Sequence, residues 1–402
     1  MYYKRTLSKI VENASNTFPA VLINGPRQVG KTTIFEHCLS KNREYVSLDD
    51  PRIRSLAKTD PSLFFKTYKP PILIDEVQYA PELLFYIKIL IDKEKKNGLF
   101  WLTGSQMFHL MKNITESLAG RIAILNLQGL SQSEKNMHSE CLPFLPSFEL
   151  RKKTSALSLE EIYKLIWKGS YPRLLTEAKM DWELFYDSYV STYLEKDVRT
   201  LVNVAQEHNF LKFLRVVAAR TGQVLNYSDI ASDIGISVNT AKSWISILET
   251  SGLIFLLQPY SNNITIRTIK TPKLYFLDTG LACYLTGWDN VKVLESGAMN
   301  GAMLETYVIS EILKSYWHNG KQPKIYFYRD KNQKEIDLII EKNGVLYPIE
   351  IKRSANPTKN DTKNFNILKS FKKNIGLGAV ICLIDTPIPL MEGIVSMPLT
   401  YI

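Results

Sequence analysis

One stretch near the start of the chain decides its fold: Gly25-Pro26-Arg27-Gln28-Val29-Gly30-Lys31-Thr32. It fits the pattern G-x-x-x-x-G-K-[ST] and lies between an apolar run at residues 20–24 and an amphipathic stretch. Glycines let such a loop curl so that backbone N–H groups face phosphates, and the dipole of the following helix adds positive potential. We expect Lys31 to contact the β- and γ-phosphates of ATP and Thr32 to bind Mg²⁺. A tight strand-to-helix turn without a ligand is the alternative.

A second stretch of apolar residues ends in two acids, Ile72-Leu73-Ile74-Asp75-Glu76. The carboxyl end of a parallel strand is where an α/β sheet binds its ligands. We therefore expect Asp75 to hold Mg²⁺, directly or through water. Glu76 is expected to orient and deprotonate the attacking water. An ordinary strand end with surface acids is the alternative, and a phosphate loop upstream argues against it.

Two further polar residues are candidates for reading the nucleotide. Ser105, in Thr103-Gly104-Ser105-Gln106 at the end of a third apolar run, offers a hydroxyl that could sense the γ-phosphate. Arg121 is a cation for the transferring phosphate, in its own subunit or in a neighbouring one. A loop hydroxyl and a surface arginine without these roles are the alternatives.

Composition places the chain among globular proteins with substantial cores. Of its 402 residues 45% are apolar and 22% are charged, and the length suggests two to four domains. The net charge of +10 favours an anionic partner, and DNA or RNA is the obvious candidate. The four cysteines form no CxxC pair, so neither a structural zinc nor a disulfide framework is expected. No secretory signal is evident, and no apolar run approaches the about 20 residues needed to span a bilayer. These observations favour a cytoplasmic protein with no membrane partner.

The order of strand-like and helix-like patterns predicts an α/β protein in four parts. Strands alternating with helices predict a parallel P-loop sheet over residues 1–135. Residues 136–205 are interpreted as a connector and a helical lid, where aromatic residues at helical spacing indicate a packed core. Two short helices around Gly235 and a following apolar run predict a winged helix-turn-helix over residues 206–268. Its second helix offers a single cation, so a packing role is favoured over base readout. Residues 269–402 form the last part.

Carboxylates and a lysine in this last part form a second candidate site. Period 2 puts Glu350 and Lys352 on one face of a strand. If Asp337 pairs across, its carboxylate and that of Glu350 can hold Mg²⁺, and Lys352 can position water or neutralise charge. Glu305, in a predicted helix at residues 301–314, is the candidate fourth member and third carboxylate ligand. A cross-strand salt bridge on a solvated face is the alternative. Several basic residues nearby suit a phosphate backbone or, equally, a solvated face: Arg353, Lys359, Lys363, Lys369, Lys372 and Lys373.

These motifs together resemble those of prokaryotic AAA+ ATPases in which an N-terminal AAA_14-type ATPase domain is joined to a C-terminal DUF4143 domain. The segments that carry the resemblance are residues 25–33, Leu48-Asp49-Asp50-Pro51, Ile74-Asp75-Glu76-Val77-Gln78, Leu102-Thr103-Gly104-Ser105-Gln106, Leu118-Ala119-Gly120-Arg121 and Gly169-Ser170-Tyr171-Pro172-Arg173. The last part also resembles restriction-endonuclease-like nucleases, since Asp337, Glu350 and Lys352 match their D…ExK pattern. The departure is Ile336, which stands where proline is usual.

The resemblance implies an ATPase that uses Mg²⁺ and binds ATP along residues 25–33, including Thr33. It also implies that a lid segment, Tyr171-Pro172-Arg173, lies near the nucleotide, although Gly169-Ser170 replaces the usual paired glycines. The leading hypothesis is an ATPase whose nucleotide state controls a nuclease-like domain that acts on nucleic acid. The alternative is a nucleotide switch or adaptor whose C-terminal domain only binds a partner. A homo-oligomer is compatible with both.

Overall fold

A computed structural model describes residues 2–38, 42–104, 117–147, 157–194, 207–262 and 271–402. The first part contains, in chain order, α1 (Leu7–Thr17), β1 (Ala20–Asn24), α2 (Lys31–Cys38), β2 (Glu44–Ser47), α3 (Pro51–Thr59), α4 (Pro61–Thr67), β3 (Ile72–Asp75), a 3-10 turn (Val77–Tyr79), α5 (Leu83–Glu94), β4 (Phe100–Gly104), β5 (Ile122–Asn126) and α6 (Gln132–Lys135). Short buried runs separated by helices produced the strand and helix predictions here, and those element types are confirmed.

The strands β1 to β5 form one parallel sheet in the order β2-β3-β4-β1-β5. Alternate residues of β1 enter different cores, with Val21 and Ile23 on one face and Ala20 and Leu22 on the other. A strand buried on both faces is typical of a parallel sheet covered by helices on each side. All the carboxyl ends of the strands lie at one edge, and this edge holds the loop that follows β1. The predicted P-loop sheet is therefore confirmed.

The middle of the chain is helical and then forms a small sheet. Its elements are α7 (Leu159–Lys168), α8 (Pro172–Thr176), α9 (Trp182–Tyr189) with a π-helical turn (Val190–Leu194), α10 (Glu207–Ala218), β6 (Gln223–Val224), α11 (Tyr227–Ile234), α12 (Val238–Thr250), β7 (Ile254–Leu257), β8 (Lys273–Phe276), α13 (Thr279–Leu285) and α14 (Val291–Ser296). Gly235 ends α11 at a φ of 78°, which a glycine adopts without strain. β8 pairs with β6 and β7, so this sheet extends past the boundary predicted at residue 268. The predicted boundary separates β8 from β7 because the pairing of strands that are distant in sequence leaves no local pattern.

The last part begins with the long helix α15 and continues into a mixed sheet. Its elements are α15 (Asn300–Trp317), β9 (Ile325–Arg329), β10 (Glu335–Lys342), β11 (Val345–Ile351), a 3-10 helix (Lys359–Phe371), β12 (Asn374–Ile375), β13 (Gly378–Cys382), β14 (Ile388–Met391), β15 (Ile394–Pro398) and a 3-10 turn (Leu399–Tyr401). The order along the sheet is β14-β15-β13-β11-β10-β9, with β12 beside β11. A separate C-terminal α/β sheet is confirmed, with more strands at its end than the sequence pattern indicated.

One hydrophobic core joins these parts. A single cluster of buried residues runs from Val21 in the first sheet, through Trp244 of α12, to Val395 in the last sheet. Burial of this continuous apolar surface, worth about 25 cal/mol per Å², holds the parts together. Among the described residues, no helix has the length and apolar character needed to cross a membrane.

Candidate nucleotide site and carboxylate–lysine site

The loop between β1 and α2 curls around its own lysine. Gly25 has a φ of 152°, and a Cβ there would lie 1.9 Å from the carbonyl oxygen of Leu127, so only glycine fits. Lys31 is 6% exposed, and its Nζ donates to the carbonyl oxygens of Gly25 at 3.0 Å and Pro26 at 2.8 Å. The ammonium group therefore lies inside the curl, which is where loops of this pattern hold phosphates.

At the carboxyl end of β3, the carboxylate of Asp75 accepts hydrogen bonds from several hydroxyl groups. Its Oδ1 accepts hydrogen bonds from the Thr32 hydroxyl, at 2.9 Å, and from the Thr103 hydroxyl. Its Oδ2 accepts from the Tyr45 hydroxyl at 3.2 Å. Hydroxyl and carboxylate oxygens are the protein ligands that Mg²⁺ prefers. This set of donors fits Mg²⁺, which Thr32 and Asp75 would hold.

Glu76 directly follows Asp75 in an uncommon backbone conformation. Its φ and ψ are 57° and 47°, a left-handed conformation that is rare for glutamate. The Thr103 hydroxyl accepts its N–H at 3.0 Å, and the Gln78 amide donates to its carboxylate. These contacts fix the direction of the carboxylate at the edge that holds the loop. Gln78 and Thr103 lie within the motifs of the sequence, but their positioning role was not predicted from it.

The two remaining candidates for reading the nucleotide lie elsewhere. Ser105 is outside the described residues. Arg121 precedes β5, at the edge of the sheet opposite the loop, because Ile122 pairs with Ala20 at the start of β1. There its guanidinium forms an ion pair with Asp92, with Nε 2.8 Å from Oδ1. The structure therefore does not bring Arg121 to the loop of its own chain.

The residues of the lid segment lie partly beside the loop and partly at the protein surface. Tyr171 is buried, and it lines a small cavity together with Pro26 and Val29 of the loop. Pro172 is the first residue of α8. Arg173 turns away and pairs with Glu177, with Nε 3.0 Å from Oε1. Of the three predicted lid residues, the structure places Tyr171 beside the loop.

A buried cluster that the sequence analysis missed connects the loop to α15. The Arg5 guanidinium donates to the carbonyl oxygen of Val29 at 2.8 Å, and its Nε lies 3.2 Å from Oε2 of Glu134. Oε1 of Glu134 lies 3.2 Å from Nδ1 of His318, at the end of α15. The His318 Nε2 accepts the N–H of Gln128 at 3.2 Å. No local pattern marks these residues, because the cluster forms only in the folded chain.

The charges in this cluster depend on one another. Burial opposes ionisation of Glu134, but Arg5 and His318 outweigh it and hold the pKa of Glu134 well below its ordinary range. Burial lowers the pKa of His318, despite the nearby Glu134 carboxylate. A neutral His318 also fits its contacts, since Nε2 accepts a hydrogen bond. Glu134 is therefore a buried anion whose cation is Arg5.

We expect Arg5→Met to destabilise the protein strongly. Removing one partner of a buried ion pair leaves the other charge uncompensated, which costs about 3–5 kcal/mol of the free energy of unfolding. Urea unfolding measures the change. The matched control is Arg173→Met, because the exposed Arg173–Glu177 pair contributes about 0.3–0.5 kcal/mol. Equal effects of the two substitutions would contradict a structural role for the buried cluster.

The second predicted site does assemble around Lys352. Its Nζ lies 2.7 Å from Oε2 of Glu350 and 3.8 Å from Oδ2 of Asp337. Asp337 Oδ2 also accepts the N–H of Ile351 at 2.8 Å. β10 pairs antiparallel with β11, with Leu338 opposite Ile349, and this register puts Asp337 beside Glu350 near the end of β11. Asp337, Glu350 and Lys352 converge as the alternation of the strands predicts.

Glu305 belongs to an adjoining cluster with partners of its own. Its Oε1 accepts from the Tyr275 hydroxyl at 2.5 Å and lies 3.2 Å from Nζ of Lys273. Lys273 also forms an ion pair with Glu335. Burial, and the charge of Asp337 nearby, raise the pKa of Glu305, although Lys273 opposes the shift. Lys273 and Tyr275 are further site residues that the sequence analysis did not identify.

The donor set of the second site suits a cation. Glu350 is 4% exposed and faces Asp337, so burial and the neighbouring negative charge raise its pKa well above the ordinary range. Two facing carboxylate groups of this kind are compatible with Mg²⁺, which Asp337 and Glu350 would hold. Across the described ranges, no three His, Cys, Asp or Glu side chains are already arranged as a metal-binding group. Glu305 thus stands apart from the other two predicted ligands.

We expect the raised pKa of Glu350 to make stability fall as pH rises. An acid whose folded pKa lies above its unfolded value stabilises the folded state below the unfolded value, here about 4.5, and loses that contribution as pH rises toward the folded value. The melting temperature, measured from pH 5 to pH 9 in the absence of divalent metal, should fall in wild type. In Glu350→Gln the fall should be smaller. Parallel curves for the two proteins would contradict the raised pKa.

Comparison with known families accounts for most of the chain. Residues 17–136 match a family described as "AAA domain". Residues 159–292 match "Domain of unknown function (DUF8612)", and residues 300–402 match "Domain of unknown function (DUF4143)". The middle match ends after β8, in agreement with the pairing of β8 with β6 and β7.

Relatives with similar sequences occur in bacteria and archaea. An uncharacterized protein of Mycobacterium tuberculosis is 27% identical over 357 residues, which cover 88% of this chain and 75% of the relative. An uncharacterized protein of Methanocaldococcus jannaschii is 23% identical over 335 residues, 76% of this chain and 69% of the relative.

Solved structures include two distant neighbours. A Walker-type ATPase of Pyrococcus abyssi has a TM-score of 0.46 at 16% identity, covering 71% of this chain and 96% of its own. DnaA from Aquifex aeolicus, bound to AMPPCP, has a TM-score of 0.29 at 14% identity, covering 60% and 85%. Together with the sheet order and the loop geometry above, the family matches show an AAA domain at residues 17–136 and a DUF4143 domain at residues 300–402 of one chain.

Proposed function

We propose that this chain is an Mg²⁺-dependent ATPase whose nucleotide state controls a C-terminal site that cleaves nucleic acid. The observation that carries the proposal is the bridge made by Arg5, which binds the loop at Val29 and the α15 end through Glu134 and His318. The same helix carries Glu305, thirteen residues earlier, about 20 Å away at 1.5 Å per residue. A change at the loop therefore has a continuous, buried route to the second site.

ATP hydrolysis would use the residues gathered at the edge of the first sheet. Lys31 would bind the β- and γ-phosphates, and Thr32 with Asp75 would hold Mg²⁺, which would neutralise phosphate charge. Glu76 takes a proton from the water whose oxygen attacks the γ-phosphorus, and the bond to the β-phosphate oxygen breaks to release ADP. Residues 25–33 and Tyr171 enclose the rest of the nucleotide.

Arg121 would act on a neighbouring subunit. It lies about 16 Å from the loop of its own chain, given a strand rise of about 3.3 Å over the five paired residues of β1 and β5. An arginine supplied in trans stabilises charge on the transferring phosphate. Catalysis through Arg121 thus requires a homo-oligomer in which Asp92 releases it.

The second site would hydrolyse a phosphodiester. Asp337 and Glu350 would hold Mg²⁺, which would supply an activated water and neutralise developing charge. Lys352 positions that water, whose oxygen attacks phosphorus while the bond to the leaving sugar oxygen breaks and that oxygen takes up a proton. Four exposed lysines at or beside the 3-10 helix next to this site suit a nucleic-acid backbone: Lys359, Lys363, Lys369 and Lys372.

The predicted winged helix would serve as a packing module. α12 buries Ala241, Trp244 and Leu248, and Gly252 just beyond it approaches the loop so closely that a Cβ would lie 3.2 Å from Pro26 Cδ. These contacts support a packing role for the winged helix, between the loop and the last domain, more strongly than readout of nucleic-acid bases.

Cleavage tests the nuclease part of the proposal. Wild type and Lys352→Ala are incubated with Mg²⁺ and with single- and double-stranded DNA and RNA. We expect wild type to cut at least one substrate and Lys352→Ala to lose that activity by about 10²-fold or more, because general catalytic groups contribute on that scale. Cleavage that persists at the wild-type rate in Lys352→Ala would contradict the assignment.

A switch or adaptor is the second candidate, and the lysines within the C-terminal clusters favour it. Lys273 and Lys352 already neutralise the carboxylates, as in a purely structural ion-pair network. An adaptor would assemble with nucleotide and cut nothing. Light scattering with ADP, ATP and a non-hydrolysable analogue, run beside the cleavage assay, separates the two functions.

A further inference from the structure

Lys273 brings a positive charge into the carboxylate cluster from outside the C-terminal sheet. It is 3% exposed, and its Nζ lies 3.2 Å from Oε1 of Glu305 and pairs with Glu335. Two residues further along β8, the Tyr275 hydroxyl donates to the same Glu305 oxygen at 2.5 Å. Period 2 puts both side chains on the face of β8 that meets α15. One carboxylate oxygen of Glu305 is thus engaged by two donors.

A metal ion bound through Glu305 would compete with this ammonium group for the same ligand. A divalent cation needs free carboxylate lone pairs and is repelled by a positive charge a few ångströms away. While Lys273 and Tyr275 hold Glu305, the site offers Asp337 and Glu350 only. Release of Glu305 would complete the set of three carboxylates and raise the affinity for metal.

The strand that carries Lys273 is linked to the nucleotide loop through β7. Leu257 of β7 pairs with Lys273, and Ile254 pairs with Phe276. Gly252, two residues before β7, packs against Pro26 of the loop. The path from Pro26 to Lys273 therefore runs through one turn and one pair of strands, and it is separate from the path through Arg5.

We propose that Lys273 is a built-in competitor of the divalent metal: it occupies Glu305, and withdrawal of β8 frees Glu305 as the third metal ligand. The inference rests on the proposed metal site at Asp337 and Glu350. It adds Lys273 as the residue that keeps the metal affinity of this site low. It also adds β8 as the strand through which the loop can act on the site.

Mn²⁺ titration of the full chain without nucleotide, followed by calorimetry and by electron paramagnetic resonance of free Mn²⁺, tests this proposal. We expect Lys273→Met to bind Mn²⁺ at least tenfold more tightly than wild type, and Tyr275→Phe to shift the affinity in the same direction by less. Lys273→Arg keeps the charge and should stay near wild type. Lys334→Met removes an exposed positive charge just before β10 and is the matched control.

Further variants separate failure of this proposal from failure of the metal site. Addition of Glu305→Gln to Lys273→Met should abolish the gain in affinity. If Glu350→Gln weakens Mn²⁺ binding but neither Lys273→Met nor Tyr275→Phe strengthens it, the metal site stands and the competition is refuted. If Glu350→Gln has no effect in any background, the metal site itself fails, and the inference fails with it. Because Tyr275→Phe retains the buried ion pairs, it keeps the test valid should Lys273→Met not fold.

Discussion

Glu76→Gln should bind ATP as wild type does and hydrolyse it about 10²–10⁴-fold more slowly, the range that a general base contributes. The amide keeps the size and hydrogen-bonding shape of the carboxylate but cannot accept the proton of the attacking water. Glu76 is held for this role, because its N–H bonds to Thr103 and its carboxylate accepts from Gln78.

Steady-state phosphate release measures the turnover, and binding of a fluorescent ATP analogue measures the affinity. Glu82→Gln is the matched control, since Glu82 is an exposed carboxylate shortly after Glu76. Turnover in Glu76→Gln equal to that of the control would remove Glu76 from the mechanism.

Lys31→Ala should lose nucleotide binding, with the affinity for ATP lowered by at least about 10²-fold. A charged hydrogen bond contributes about 1.5–3 kcal/mol, and Lys31 is expected to make two such contacts with phosphates. The substitution also removes the bonds from Nζ to the carbonyl oxygens of Gly25 and Pro26, so a modest loss of stability accompanies it.

Isothermal titration with ATP and Mg²⁺ gives the affinity, and the melting temperature without nucleotide reports on folding. Lys58→Ala, which removes an exposed lysine of the same domain, should leave both unchanged. Wild-type affinity in a folded Lys31→Ala protein would contradict the assignment of the loop.

The parts of the fold that follow from local chemistry were predictable from the sequence. The glycines around Lys31 require a curled loop, and the apolar run before Asp75 requires a strand that ends at the same edge. Alternation around Glu350 and Lys352 was enough to place both side chains on one face of β11, whereas their approach to Asp337 depends on the register of β10 with β11. In each case residues close together in sequence specify the geometry.

Contacts between distant segments were not predictable in this way. Arg5 meets Glu134, and Lys273 meets Glu305, only because one hydrophobic core brings the parts of the chain together. A single buried ion pair leaves no periodic pattern in the sequence. The same limit applies to Arg121. Its motif suggested a contact with the nucleotide, but the motif could not indicate at which edge of the sheet Arg121 lies.

The rate of nucleic-acid cleavage in different nucleotide states is the direct test of control by the ATPase domain. Wild type and Glu76→Gln are compared with Mg²⁺ alone, with ADP and with ATP, on the substrate that wild type cuts. We predict that the rate with ATP differs from the rate with ADP, that Glu76→Gln in ATP keeps the cleavage rate characteristic of the ATP-bound state, and that Lys352→Ala is inactive throughout. A Lys352-dependent rate that is the same in all three nucleotide conditions would contradict control by the ATPase domain.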